Sequence, residues 1–159
     1  MPKKATIDAA KRDKAQGKSA NTQAGEFVKE EMDKIRSGET GARNTKQAIA
    51  IGLSEARRSG VDLKAPAAGK TSEKTRKSAG SALEKGRRHE PIDPVRSRAR
   101  EKVMKKEGHT AASPAALSKQ SRTAAQQRTP AERSASARKA AKTRGAKTRG
   151  GKNRGQEGG

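Results

Sequence analysis

The sequence has no cysteine, tryptophan or tyrosine, and its one aromatic residue is Phe27. Without cysteine there is neither a disulfide framework nor a thiolate metal site, which suits a reducing compartment. Without an aromatic set there is no platform on which bases stack, the usual device of single-strand and RNA-binding modules. Large aliphatic side chains are equally sparse, since Leu, Ile, Val and Phe together number 14 of 159 residues. Chains with less than about a fifth of such residues and a high net charge generally stay disordered. They bury too little apolar surface to offset about 1–2 kcal/mol of backbone entropy per residue. The expected fold class is therefore mostly disordered with α-helical segments, a small αα-hairpin near the N-terminus and no β-sheet.

Long hydrophobic runs are missing too. The longest, Ala48 to Leu53, is six residues and contains a glycine, against about 20 needed to cross a bilayer. The basic start Pro2-Lys3-Lys4 is followed by no apolar segment of a secretory signal. The expected setting is cytoplasmic, at the nucleoid, with no membrane partner.

Positive charge is abundant: 39 Lys and Arg face 17 Asp and Glu, a net of +22. It is unevenly spread, and it divides the chain. Residues 1–20 carry +4 and read as a basic disordered arm. Residues 21–60 carry only +1, and the apolar residues collect from Phe27 to Leu63, so residues 21–63 read as a two-helix hairpin. Residues 64–108 read as a basic linker with one or two solvated helices, and residues 109–159, at +10, as an Ala/Lys/Arg/Gly-rich low-complexity tail.

Within the hairpin, Asn21 or Thr22 is placed to cap a helix in which Val28, Met32 and Ile35 recur on one face. Gly38 suits its left-handed end. Asn44 and Gln47 form a capping box for a second helix with Ile49, Leu53 and Ala56 on one face. Gly52 there would let a neighbouring helix approach closely. Asp93-Pro94 starts a helix to about Glu107 whose Val95, Ala99 and Val103 are surrounded by arginines and lysines. Residues 113–144 hold a sixteen-residue repeat opened by Ser113-Pro114 and then by Thr129-Pro130, which read as helix starts before they read as phosphorylation sites. A five-residue repeat, Ala-Lys-Thr-Arg-Gly, follows, and a glycine every fifth residue argues against a stable helix there.

Phosphate neutralisation is the chemistry this pattern supports, because Lys and Arg displace the counterions condensed on a duplex without reading its sequence. In the tail the candidate contacts are Lys119, Arg122, Arg128, Arg133, Arg138 and Lys139. They continue through the repeats as Lys142, Arg144, Lys147, Arg149, Lys152 and Arg154. In the hairpin they are Arg43, Lys46, Arg57 and Arg58. The expected partner is nucleic acid, duplex DNA ahead of RNA, with residues 24–63 available to a protein partner or a homodimer.

Catalysis is not expected. Ala68-Gly69-Lys70-Thr71 resembles the end of a phosphate-binding loop, but Lys64 stands where its first glycine belongs. His89 and His109 belong to no ligand cluster. No metal or cofactor site is assigned. An interaction protein docking through the hairpin and a hydrophilic stress-protection protein are the alternatives to nucleic-acid binding.

The stretches Gln23-Ala24-Gly25-Glu26-Phe27-Val28-Lys29-Glu30-Glu31 and Gly41 to Arg57 (GARNTKQAIAIGLSEAR) resemble an uncharacterised family of small basic bacterial proteins over about residues 18–80. The tail is similar in composition to bacterial histone H1-like tails. The resemblance implies a bacterial, cytosolic setting and assigns no catalytic residue.

Overall fold

The computed structural model describes residues 1–152. They form seven α-helices and no strand: α1 (Lys4–Ala15), α2 (Ala20–Arg36), α3 (Thr45–Arg58), α4 (Glu73–Arg87), α5 (Pro94–Met104), α6 (Pro114–Gln126) and α7 (Pro130–Lys152). A 3-10 turn at Thr110–Ala112 precedes α6.

Short polar residues start most of these helices by accepting from the otherwise unpaired N–H groups of the first turn. The cap of α2 is Ser19, which accepts Thr22 N–H at 3.4 Å, and not the expected Asn21 or Thr22, which both lie inside the first turn. Asn44 caps α3, taking Gln47 N–H at 2.9 Å, while Gln47 reaches back to Arg43 N–H. Asp93 holds Val95 and Arg96 N–H ahead of Pro94. Ser113 and Thr129 cap α6 and α7. At the far ends, α1 to α4 close in one way: the residue after the cap donates to the carbonyl three back and the next to the carbonyl five back, as Gly38 and Glu39 do to Ile35 and Lys34. The closing residue has positive φ, met by glycine at Gly38 (77°) and, at the end of α4, by His89 at 51°.

The expectation of a mostly disordered chain is wrong. Residues 4–15, read as a disordered arm, form α1 against α2. Residues 73–87, within the stretch read as a basic linker with one or two solvated helices, form α4, which packs against α3 instead of standing in solvent. The reason lies in which residues carry the packing. Of the seventeen buried apolar residues described, nine are alanine, which a count of Leu, Ile, Val and Phe ignores. Alanine and glycine let helix backbones come together, so dispersion between main chains replaces large side chains. The tail is corrected likewise: α7 runs to Lys152 through Gly145 and the glycines after it. Glycine costs about 1 kcal/mol in a helix rather than stopping it, and Ala, Lys and Arg fill the positions between.

Two units divide the described residues, Met1–Leu117 and the stretch from Ser118 onward. The first contains two core clusters on α2 and α3. In one, Ala10 of α1, Ala24, Phe27 and Ala56 meet Val61 and Leu63, with Leu53 at its edge. In the other, Met32, Ile35, Ala42 and Ala48 meet Ala111 and Ala112 of the 3-10 turn. The helices meet where Gly52 lies on Val28; a Cβ at Gly52 would stand 2.7 Å from Val28 Cα. Gly86 lies as tightly on the carbonyl of Arg57, and Gly41 on that of Glu107.

Two glycine substitutions should therefore move in opposite directions in thermal or urea melts. Gly25→Ala, with nothing within 4 Å of the new methyl, should stabilise by about 0.5–1 kcal/mol from helix propensity. Gly52→Ala should cost about 1–3 kcal/mol net, because overpacking outweighs the same propensity gain.

Candidate nucleic-acid interface and the cavity beneath α5

From Ser118 onward, the cations whose side chains are described are exposed, and all of these but Arg128 lie on α6 or α7. Lys119, Arg122 and Arg128 lie on or just after α6 and are exposed, as are Arg133, Arg138, Lys139, Lys142 and Arg144 on α7. At about 100° per residue the α7 cations fall all round the axis rather than in one stripe. Lys147, Arg149 and Lys152 fall within α7, but their side chains are outside the described set, and Arg154 is outside the described residues.

The hairpin cations fare differently. Lys46 is exposed, and Arg43 is exposed with its guanidinium 3.6 Å from Glu107. Arg57 cannot meet a phosphate. It is 6% exposed, and it donates to the carbonyls of Leu63 (2.9 Å), Lys64 (3.2 Å) and Leu53 (3.4 Å). It ties the chain after α3 back onto the helix, and burial lowers its pKa. Arg58 is half-buried and bridges to the carbonyls of Glu90 and Pro91. The expected contacts left out the cations of α5, where Arg96, Arg98, Arg100 and Lys102 are all exposed beside Val95 (71%) and Val103 (60%). Their density after Asp93-Pro94 was the available signal.

The helix α5 is fastened at its ends. Arg58 holds the carbonyls of Glu90 and Pro91 before it, and at its C-terminus Met104 is buried while its carbonyl accepts from Gly41 N–H at 3.0 Å. Met104 is its one buried residue. Beneath it lies a cavity of about 590 Å³ lined by α2, α3, α4, α5 and the first two residues.

On α2 and α3, beside this cavity, four charged residues act on one another: Glu30, Glu31, Lys34 and Glu55. Glu30 is buried and well bonded: both its oxygens accept Lys3 backbone N–H, at 2.9 and 3.1 Å, and Lys34 Nζ stands 2.6 Å away. Burial opposes its charge, but the bonds from Lys34, Thr6 and Lys3 outweigh it, and its pKa is lowered. Lys34 also donates to the Met1 carbonyl at 3.2 Å. Burial opposes its charge as well, and the bond to Glu30 with the fields of Glu55, Glu30 and Glu31 raises its pKa all the same. Glu31 is 2% exposed, and burial and the neighbouring Glu55 raise its pKa against the opposing fields of Lys34 and Arg100. Among the described residues no partner reaches Glu31 Oε1, Glu55 Oε2 or Thr40 Oγ1. The described residues contain no group of three His, Cys, Asp or Glu with metal-binding geometry, and no helix among them is long and apolar enough to cross a membrane.

Residues 11–67 match a family of unknown function, DUF6496. The matched stretch holds all of α2 and α3 and ends before α4. It overlaps the expected 18–80 and does not reach the Ala/Lys/Arg repeats. No curated protein and no solved structure matches the chain.

The two neighbouring glutamates should respond oppositely to substitution. Glu30 binds its proton less tightly folded than unfolded, so its stabilisation is full above the ordinary Glu value of about 4.3 and is lost as pH falls through its lowered value. Glu31 binds its proton more tightly folded, so stability is lost as pH rises from about 4.3 through its raised value. At pH 7 Glu30→Gln should cost about 3 kcal/mol by stranding Lys34, whereas Glu31→Gln should raise the melting temperature by a few degrees. Both differences should shrink below about pH 4. Arg57→Lys should cost about 2 kcal/mol, because one ammonium cannot replace a fork that spans three carbonyls.

Proposed function

We propose that this protein binds nucleic acid without sequence preference, by neutralising backbone phosphates, with duplex DNA as the favoured partner, in the manner of a bacterial histone H1-like nucleoid protein. One observation carries the reading: residues 118–152 hold eleven Lys and Arg against the single acid Glu132, and the described cations among them are exposed. Phosphate contact asks only for mobile positive charge at the right density, since duplex DNA carries one negative charge per about 1.7 Å of axis. The 23 residues of α7 extend about 34 Å, close to one turn of B-DNA. Cations on every side of α7 suit contact in many orientations and do not suit the reading of one groove register. The charged face of α5 supplies a second basic surface within the first unit.

A salt titration with duplex DNA tests this. If about eight phosphates are neutralised, log K should fall with log[salt] at a slope of about −7, and changing the DNA sequence should alter affinity by less than about tenfold. Replacing Arg133, Arg138, Lys142 and Arg144 by Gln in the full chain should flatten the slope by about 3 to 4, at about 0.9 per lost contact. A salt-insensitive, sequence-dependent affinity would instead make a groove-reading helix the binding element. Tighter binding to structured RNA than to duplex DNA would overturn the choice of partner.

A further inference from the structure

The outer face of α5 is apolar along its middle and basic along both edges, and it is open to solvent. Four large apolar side chains are exposed among the described residues, and two of them, Val95 (71%) and Val103 (60%), stand on this one helix. With the exposed Ala99 between them they recur at i, i+4 and i+8. At about 100° and 1.5 Å per residue, that spacing gives a stripe about 80° wide and about 12 Å long. Met104, the one buried residue of α5, lies about 140° round the helix from Ala99, so the stripe is turned away from the core. Exposed cations flank the stripe on both sides. Arg96 lies about 60° from Ala99 on one side, and Lys102 and Arg98 lie about 60° and 100° from it on the other. Arg98 runs along the helix, donating to the Pro94 carbonyl at 3.3 Å. Glu101, the one acid of α5, falls about 160° from Ala99 and pairs with Lys105 at 2.9 Å, so no carboxylate of the helix stands on the outer face.

We propose that this face docks a partner protein through a single amphipathic helix that has an apolar seam and acidic residues along both sides of it. Shape and charge both choose that occupant. A stripe this narrow matches the seam of one facing helix, and Ala99 between two valines leaves a notch for a larger side chain such as leucine. Carboxylates flanking that seam meet Arg96 on one edge and Lys102 and Arg98 on the other, the arrangement that sets orientation in helix pairs. Duplex DNA meets the same cations, but its phosphate backbone has no apolar counterpart for the valines. A bilayer surface takes helices that sink Trp, Phe or Leu into it. Here there are two valines and an alanine, on a helix fastened at both ends. A second copy of α5, or the basic tail, brings like charge to the same face. A contact with one helix of 11 residues falls at the small end of protein interfaces, so the affinity is modest. The stripe plays no part in the phosphate contacts proposed for the tail.

The experiment is fluorescence anisotropy of the full-length protein with a labelled helical peptide of about 18 residues, roughly 27 Å long. The peptide carries leucine at the seam positions of its heptads and glutamate beside them. A shuffled peptide of identical composition, with the same charge and no seam, is the control for attraction to the basic tail. The seam peptide should bind with Kd of about 1–100 μM, and the shuffled one at least about tenfold more weakly. Val95→Gln and Val103→Gln together should weaken the seam peptide about tenfold or more and leave duplex DNA affinity unchanged. Arg98→Gln and Lys102→Gln together should weaken it too, with the larger loss at low salt. The four side chains are exposed, and circular dichroism checks both variants for folding. The proposal is overturned if the seam peptide does not bind, if the shuffled peptide binds equally, or if the valine variant binds as the wild type does. A valine variant that loses duplex DNA also overturns it and makes the stripe part of the nucleic-acid interface. So does valine-dependent binding to vesicles of phosphatidylglycerol and phosphatidylcholine in equal parts that exceeds binding to the seam peptide, which makes the stripe a membrane contact.

Discussion

The contact on which the first unit depends is the backbone-to-backbone approach of α2 and α3 at Gly52 and Val28. With so few large aliphatic side chains, helices of this chain cannot be held together by interdigitating leucines. They are held by proximity: Ala24, Ala48 and Ala56 are all fully buried, and the glycine lets main-chain atoms touch. Everything else is fitted round that crossing. Phe27 and Ile35 lie on α2 one on each side of it, in separate clusters. The segment after α3 folds back through Arg57, and the 3-10 turn covers the second cluster. Gly86 and Gly41 repeat the same device at the edges, against the carbonyls of Arg57 and Glu107.

A core built this way is thin, and polar groups share the work of closing it. Arg57 and the Glu30–Lys34 pair are buried as deeply as much of the alanine, and each is bonded to main-chain groups that would otherwise be unsatisfied. Such groups stabilise little relative to a hydrophobic replacement, but they fix where loops and the N-terminal residues lie. Glu31 stands apart from that logic. It is as buried as its neighbours, one of its oxygens lacks a partner among the described residues, and burial, with Glu55 beside it, raises its pKa. The charged surface is different: the described cations after Ser118 and those of α5 are exposed rather than packed into the core.

How far the sequence could be read follows from the range of the forces involved. Capping, helix periodicity and charge are local, so the αL position at Gly38, the Asn44–Gln47 box, the Asp93-Pro94 start and the close approach at Gly52 could be argued from neighbouring residues. The helical repeat units at 114 and 130 were legible for the same reason. The helical packing of the described residues was not legible, because composition rules weigh large side chains and give alanine no credit, and whether alanine is buried depends on which helices meet.

The sequence by itself determined the helix starts at Asn44, Asp93, Ser113 and Thr129 and the end at Gly38, the sign and placement of the charge, and the lack of stacking aromatics and thiol ligands. Only the tertiary structure decided which charges are available. Arg57 and Arg133 look alike as residues in a basic chain; one is buried and consumed by three carbonyls, and the other is exposed at the surface, where it donates to the Arg128 carbonyl. Glu30 and Glu31 are adjacent, yet one is satisfied and the other is not, because successive positions on a helix point about 100° apart and meet different neighbours. That difference, and the cavity that Glu31 shares with Arg96 and Arg100, arises from helices far apart in sequence that are brought together only by the fold.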